Sequence, residues 1–287
     1  MVIVKLTGGL GNQLFQYALG RKIAHLKAVE LKLDISGFKT YKLHKYSLSH
    51  FNIIEEFASV HELARFNRKG LIPYLTERLK PYYKRCVVYD RHHYFDKNIF
   101  KTNNDVYIDG YFQSEKYFSD IEPILRNEIS FKVPPEGENM RLAELVGKNT
   151  SVSLHVRRGD YIRDPLTFKI HGVCSMDYYG EAVRLIAQRT TKPHFFIFSD
   201  DPCWAEKNLN FDYPVTFVTH NNADHNFEDL RLMSLCKHHI IANSTFSWWG
   251  AWLNANPEKI VVAPKKWLNS PEFYDKRDLL PEPWIKV

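Results

Sequence analysis

His155-Val156-Arg157-Arg158-Gly159-Asp160 closes an alternating apolar run, Ser151-Val152-Ser153-Leu154, that reads as a buried strand. A histidine, two arginines, a glycine and an aspartate at a strand's end form a site-building stretch, because ligands of open α/β sheets bind beyond the carboxyl ends of strands. Arginine offers a planar fork of donors matched to phosphate oxygens. Gly159 lets the backbone turn sharply. The competing reading is a charged surface turn, and the neighbouring strand ends have to decide between the two.

Those neighbours are regular. Downstream strands are expected near 152–156, 194–198, 215–218, 239–242 and 260–263. Between them the spacing of Tyr179, Ala182, Val183 and Ile186, then of Phe227, Leu230 and Leu235, then the run Trp248 to Leu253, predicts helices. Alternating strands and helices imply a parallel sheet with right-handed crossovers. Three more strands end in polar clusters: Ser199-Asp200-Asp201, Thr219-His220-Asn221 and Asn243-Ser244-Thr245-Phe246-Ser247. In a parallel sheet all of these lie on one edge. An arginine pair with hydroxyls and helix-terminal amides makes a phosphate pocket there, and a strand-end carboxylate can accept from a guanine edge or a ribose diol. Trp248, Trp249 and Trp252 are expected in the core.

The first half opens with a strand at Val2 to Leu6, a tight loop at Thr7-Gly8-Gly9-Leu10-Gly11-Asn12-Gln13, and a helix carrying Phe15, Leu19, Ile23 and Leu26 on one face. The glycines do not have the dinucleotide spacing, and no P-loop lysine follows. Leu31 to Leu33 reads as a second strand. Ser59-Val60-His61-Glu62 has the form of a capping box opening a helix. Residues 69–101 are expected as loops and short helices. Val106-Tyr107-Ile108-Asp109 reads as a strand that ends in Gly110-Tyr111-Phe112-Gln113-Ser114-Glu115, where aromatic faces, an amide and carboxylates suit a sugar. Lys132 to Glu138 is the clearest break in the chain.

The 287 residues suffice for two domains, and 44% are hydrophobic. No apolar run has the length of a membrane span, and the first residues read as a strand rather than a signal peptide. Cys86, Cys174, Cys203 and Cys236 lack paired spacing and are expected as reduced thiols in a cytoplasmic protein. Much of the net charge of +6 lies in Arg65, Arg68, Lys69, Arg78, Lys80, Lys84, Arg85, Arg91, Lys97 and Lys101, interleaved with aromatics. No nucleic-acid-binding signature accompanies this patch, and peripheral contact with the inner membrane face is the partner it suits. There is no D-x-D triplet, and Asp200-Asp201, His92-His93 and His238-His239 lack metal spacing, so a metal-free site is expected. No G-x-S-x-G elbow appears.

Four ordered stretches, Gly8 to Tyr17, His155 to Tyr161, Phe196 to Asp201 and Ile241 to Leu253, resemble the motifs of the α-1,2-fucosyltransferases of glycosyltransferase family 11, in particular the bacterial members. Gly110 to Ser114 fits as well. The resemblance covers nearly the whole chain. It implies an α/β fold of GT-B type, two Rossmann-like domains facing a cleft, with residues 1–148 on the acceptor side, 149–287 binding the donor, and the last residues packing back on the first domain. It implies inverting transfer of fucose from GDP-β-L-fucose to the 2-hydroxyl of a terminal galactose on an oligosaccharide or lipid-linked glycan, with no cofactor and no metal. By the same resemblance Arg158 would hold the diphosphate and His155 would lie beside ribose or phosphate. Asp160 would orient the arginines. Ser244, Thr245 and Phe246, with Asn243 and Arg157, would contact the donor. Asp200 or Asp201 would read guanine, and Gly11 and Asn12 would face the fucose and diphosphate. Asp109, Gln113 and Glu115 are candidate acceptor residues. The proton acceptor stays open among Asp109, Glu115, His155, Asp160 and a phosphate oxygen. The alternatives are another GDP-sugar transferase, such as an α-1,6-fucosyltransferase, and a non-catalytic glycan- or nucleic-acid-binding protein.

Overall fold

The computed structural model describes residues 1–41, 43–66, 71–90, 94–270 and 277–287, with 71–73 described by backbone alone. The chain forms two compact units. The first holds Met1–Lys132 together with residues 277–279; the second holds residues 133–270 and 280–287.

In the first unit the elements run β1 (Val2–Lys5), α1 (Leu10–Lys27), β2 (Leu31–Asp34), α2 (Val60–Phe66), α3 (Leu71–Leu79), β3 (Val87–Tyr89), β4 (Val106–Asp109) and α4 (Glu122–Glu128). The four strands are parallel, in the order β2-β1-β4-β3. Parallel strands need covering on both faces, and Val2, Ile3, Val4, Val106 and Ile108 are accordingly buried. The long helix α1 packs Leu14, Phe15, Ala18, Leu19 and Ile23 inward. The expected capping box is present: Glu62 N–H donates to Ser59 Oγ at 3.2 Å, and Ser59 N–H donates to the Glu62 carboxylate at 2.8 Å. Lys32 also pairs with Glu62, and these bonds hold the Glu62 carboxyl down at about 2.

Residues 69–101 hold more than loops. Strand β3 is only three residues long, too short for periodicity to reveal. The basic patch is also less of a solvent face than its composition suggests. Arg85 is buried, stacked on Tyr82 and donating to the carbonyls of Lys80 and Arg78. Lys80 pairs with Glu77, and Arg65 with Asp105. Arg68, Lys69, Arg91, His92 and His93 lie outside the described residues.

In the second unit the elements run α5 (Gly137–Lys148), β5 (Thr150–Val156), α6 (Gly159–Arg163), α7 (Pro165–His171), α8 (Met176–Arg189), β6 (Pro193–Ser199), α9 (Pro202–Asn208), β7 (Val215–Val218), α10 (Asn226–Leu235), β8 (His238–Ile240), α11 (Thr245–Leu253), β9 (Val261–Ala263) and β10 (Ile285–Lys286). All six strands are parallel, in the order β10-β9-β8-β5-β6-β7. Each of the five expected strands and three expected helices is present, and the two-residue strand β10 is additional. The division between units falls after Lys132 rather than at 148/149. The reason is α5: its Leu142 and Val146 are buried with Phe196, Phe198, Leu232 and Met233 of the second unit. The final residues also sit with the second unit, where Ile285 pairs with Val262.

Strand β5 is buried on both faces. Val152, Leu154 and Val156 join the core with α8, whereas Ser151 and Ser153 face a polar seam. There Ser153 Oγ and His239 Nδ1 are 2.8 Å apart, and Asn254 reaches His239 Nε2 at 2.7 Å. The buried serines are therefore bonded, as an interior polar group requires. Trp248, Trp249 and Trp252 are buried as expected and pack on one another, and Trp284 closes over Trp248 at 5.4 Å. Among the described residues no helix is long and apolar enough to cross a membrane.

Candidate active site

Strand order decides which polar ends meet. Strand β5 lies between β6 and β8, so its end, His155 to Asp160, is flanked by Ser199-Asp200-Asp201 and by Asn243 to Phe246.

Arg157 is the anchored arginine. It forms ion pairs with Asp160 at 2.7 Å and Asp200 at 3.0 Å, and it lies over the Tyr161 ring at 5.2 Å. Burial works against its charge, but Asp200 leads the opposing influences, and the guanidinium ends above its ordinary pKa. Burial pushes the Tyr161 hydroxyl up to about 12, and its ring stacks on His171 at 4.8 Å. Arg158 points elsewhere, as successive residues leaving a strand do. Its guanidinium carbon sits 3.7 Å from the centre of the Trp204 ring, and Nε lies 3.7 Å from Asp201.

Asp200 ties the turn to β6. The Arg158 backbone N–H donates to Asp200 Oδ1 at 2.8 Å, while Oδ2 faces Arg157. A Cβ on Gly159 would stand 2.7 Å from Asp200 Oδ2, so any larger residue would displace that carboxylate. Asp201 caps α9 by accepting from Trp204 N–H at 3.3 Å, with Pro202 in the first turn. That cap delivers the Trp204 ring beneath Arg158. Asp200 and Asp201, the two candidates for reading guanine, are thus both engaged with the arginine turn.

His155 is buried at 4% exposure, and its ring lies 5.7 Å from that of Phe246. Burial, the largest influence, holds its pKa well below the ordinary histidine value, so the imidazole is neutral at pH 7. His155 Nδ1, Arg157 Nε and Arg158 Nε are all buried without a hydrogen-bond partner. Such groups are exceptions in a folded interior. A fourth such atom at this strand end, Asp160 Oδ1, is neutralised by its ion pair with Arg157. The three nitrogens, two of them on positively charged groups, suit an oxyanion ligand with several acceptor oxygens.

On the other side of β5, Ser244 caps α11 by accepting from Phe246 N–H at 3.3 Å, and Thr245 and Phe246 remain partly exposed. Asn243 departs from the expected donor contact. It is 2% exposed, and its amide donates to the carbonyls of His171, Gly172 and Trp267. It clips the end of α7 to the sheet.

The fourth expected end does not join the cluster. Strand β7 is an edge strand, and His220 and Asn221 bond instead to Asn139 near the start of α5. Asn221 also donates to Asp229 at 2.7 Å, and withdrawal from water pushes the Asp229 carboxyl up to about 7.

In the first unit, the ends of β1 and β4 meet because those strands pair. Gln113 Nε2 donates to Asn12 Oδ1 at 2.8 Å, joining two expected site residues. Gly8, at φ +78, leaves no room for a Cβ beside the Asn12 amide. Gly11 is buried in the first turn of α1. The loop before α1 is held by two side chains that sequence reasoning passed over. Gln13 bonds to Gly8 O, Lys45 O and Ser47 N–H, and Gln16 accepts from Thr7 N–H and donates to Gly110 O. Two amides one turn apart behind a glycine loop were the available signal. Asp109 pairs with Lys5 at 3.0 Å, and Glu115 is partly exposed in the short helix that Ser114 caps. Trp204 was also passed over; its signal was the Asp-Pro helix start directly after a strand. Among the described residues no group of three or more His, Cys, Asp or Glu side chains is placed to hold a metal ion.

Residues 79–287 match the model of glycosyl transferase family 11. The chain is 34% identical to an alpha-1,2-colitosyltransferase of Escherichia coli, across 100% of this chain and 99% of that protein. It is also 34% identical to the O-antigen biosynthesis glycosyltransferase WbnK of Escherichia coli, across 98% and 99%. Among solved structures, Arabidopsis thaliana FUT1 in complex with GDP is similar in fold, with a TM-score of 0.54 at 12% identity, covering 93% of this chain and 71% of that one. The fold is α/β of the GT-B type.

Proposed function

This chain belongs to glycosyltransferase family 11, and on that premise we propose that it transfers L-fucose from GDP-β-L-fucose to the 2-hydroxyl of a terminal galactose, with inversion to an α-1,2 linkage. The observation that carries the donor side is the set of three buried nitrogens of His155, Arg157 and Arg158 that have no hydrogen-bond partner. The full-length likeness to an alpha-1,2-colitosyltransferase supports the linkage.

In the reaction the acceptor oxygen bonds to the anomeric carbon as the bond from that carbon to the β-phosphate oxygen breaks. The acceptor oxygen passes its proton to a side-chain base or to a phosphate oxygen of the departing GDP, which leaves with the bonding pair. Arg158 stabilises the negative charge that builds on the leaving phosphate. Held between Trp204 and Asp201, it meets that charge without reorganising, which is where preorganised donors are most effective. Arg157 adds positive potential while staying fixed on Asp160 and Asp200. Neutral His155 offers either a donor or an acceptor to ribose or phosphate. Ser244, Thr245 and Phe246 line the nucleoside side. No metal is needed in this scheme, because arginines carry the charge.

A second donor is favoured by a specific observation, the 34% identity to a colitosyltransferase. Colitose is L-fucose without its 3-hydroxyl, so one diphosphate clamp serves both. Incubation with GDP-fucose or GDP-colitose and a panel of galactose-terminated oligosaccharides, followed by linkage analysis, tests the proposal. An α-1,2 fucosyl product formed equally with and without EDTA is expected. An α-1,6 product, or nucleotide binding with no GDP release, would overturn it. Membrane attachment through the basic residues Arg78, Lys84, Lys97 and Lys101 is part of the same reading. Cosedimentation with anionic vesicles that survives replacement of those cations would count against it.

A further inference from the structure

We propose that Asp200 is a positioning residue for the arginine clamp and not a reader of the nucleobase. It locks the Arg157-Arg158-Gly159 turn onto β6, so that the Arg158 side chain is presented in one orientation. The inference rests on the donor reading above and goes beyond it by assigning the strand-end carboxylate.

The geometry argues this in three steps. First, each Asp200 oxygen already serves the turn: Oδ1 accepts from Arg158 N–H at 2.8 Å and Oδ2 faces Arg157 Nη1 at 3.0 Å. A carboxylate that reads guanine presents both oxygens to the N1 and N2 hydrogens of the base, and this one has turned both to its own chain. Second, the contact is built in on the far side as well. A Cβ on Gly159 would lie 2.7 Å from Oδ2, so a larger residue there would push the carboxylate off the turn. Third, the next residue completes the same device. Asp201 caps α9, and that cap carries Trp204 to within 3.7 Å of the Arg158 guanidinium. Two consecutive residues at one strand end thus fix the backbone of the turn and the floor beneath its second arginine. A long cationic side chain carries substantial rotamer entropy. Fixing it before the ligand arrives removes that loss from the binding step.

The assignment separates two affinities that a guanine reader would link differently. Calorimetric titrations of GDP, GMP and IDP into the wild-type protein, Asp200→Asn and Gly159→Ala provide the test. GMP lacks the β-phosphate, and IDP lacks the 2-amino group of guanine. Asparagine keeps an acceptor for Arg158 N–H but loses the charge facing Arg157. The preference for GDP over GMP is expected to fall about tenfold or more in both variants, the scale of a lost charged hydrogen bond. The preference for GDP over IDP is expected to stay at the wild-type value. A folded Asp200→Asn protein that keeps its GDP-to-GMP ratio, or loses its GDP-to-IDP ratio, overturns the assignment. Should Asp200→Asn not fold, Gly159→Ala reads the same contact with the carboxylate intact. A third reading needs no variant: the Arg157 guanidinium of the free wild-type protein should give a resolved, slowly exchanging nitrogen-15 signal, and its averaging with bulk arginine would overturn the claim. Failure of the wild-type protein to bind GDP is a separate outcome that strikes the donor reading itself.

Discussion

The guanidinium carbon of Arg158 lies over the Trp204 ring, 3.7 Å from its centre, although one residue follows β5 and the other sits in the helix after β6. A cation over an indole ring gains roughly 0.5–2 kcal/mol, more as water is excluded. Trp204→Ala should therefore weaken GDP binding about threefold to thirtyfold while leaving the protein folded. Trp204→Phe should recover most of the loss, because a ring remains beneath the cation. Titration calorimetry against GDP reads both, and equal losses in the two variants would rule out the stacking explanation.

Arg158→Lys keeps the charge and discards the planar fork. Lysine cannot lie flat on Trp204 and donate to two phosphate oxygens from one plane. Turnover with GDP-fucose is expected to drop on the order of a hundredfold, comparable to losing one preorganised donor at a developing anion. The melting temperature should change little, since lysine keeps the charge beside Asp201 and the ion pair there is long at 3.7 Å. Normal turnover in a well-folded Arg158→Lys or Arg158→Ala protein would remove the arginine from the mechanism.

Asp229 predicts a dependence of stability on pH. Its carboxyl is pushed up to about 7 by withdrawal from water, against an ordinary value of 3.8. Below the ordinary value both folded and unfolded chains hold the proton. Between 3.8 and about 7 the unfolded chain has released it and the folded chain has not, so this group's contribution becomes less favourable as pH rises. Above about 7 the penalty is complete. Asp229→Asn keeps an oxygen for the Asn221 amide, now at 2.7 Å, and has no proton to lose. The variant should match wild type near pH 4 and gain on it by on the order of 4 kcal/mol by pH 8. Paired chemical denaturation curves across that range measure the difference, and a constant gap between the two proteins would refute it.

Asn243→Ala removes three donor contacts from a residue that is 2% exposed and leaves the carbonyls of His171, Gly172 and Trp267 short of a partner. The expected loss is about 2–3 kcal/mol of stability, seen as a lower melting temperature. The ratio of GDP to GMP affinity should not follow it. A variant of unchanged stability with a collapsed GDP-to-GMP ratio would return Asn243 to the ligand.

The order of elements and the identity of the polar strand ends were legible before any coordinates, because they depend on local chemistry. Helices along Tyr179 to Ile186 and strands such as Phe195 to Phe198 announce themselves by the spacing of their apolar residues, and Ser59-Val60-His61-Glu62 closes its capping box within four residues. Elements too short for a period, β3 and β10, left no such mark. Partnership across the sheet was beyond local reading. Which end meets which depends on strand order, and a parallel sheet sets that order through crossovers whose destinations are not written in either strand. The order β8-β5-β6-β7 puts Asp200 against Arg157 and Arg158, and it sends His220 and Asn221 to the edge with Asn139. Sequence alone determined that residues 155–160 end a buried strand in a phosphate-seeking cluster. The alternation of successive residues already sets Arg157 toward the scaffold and Arg158 toward the ligand side. Only the tertiary structure decided what holds each, because the Asp200 carboxylate on Arg157 and the Trp204 indole under Arg158 are delivered by a neighbouring strand and the helix after it.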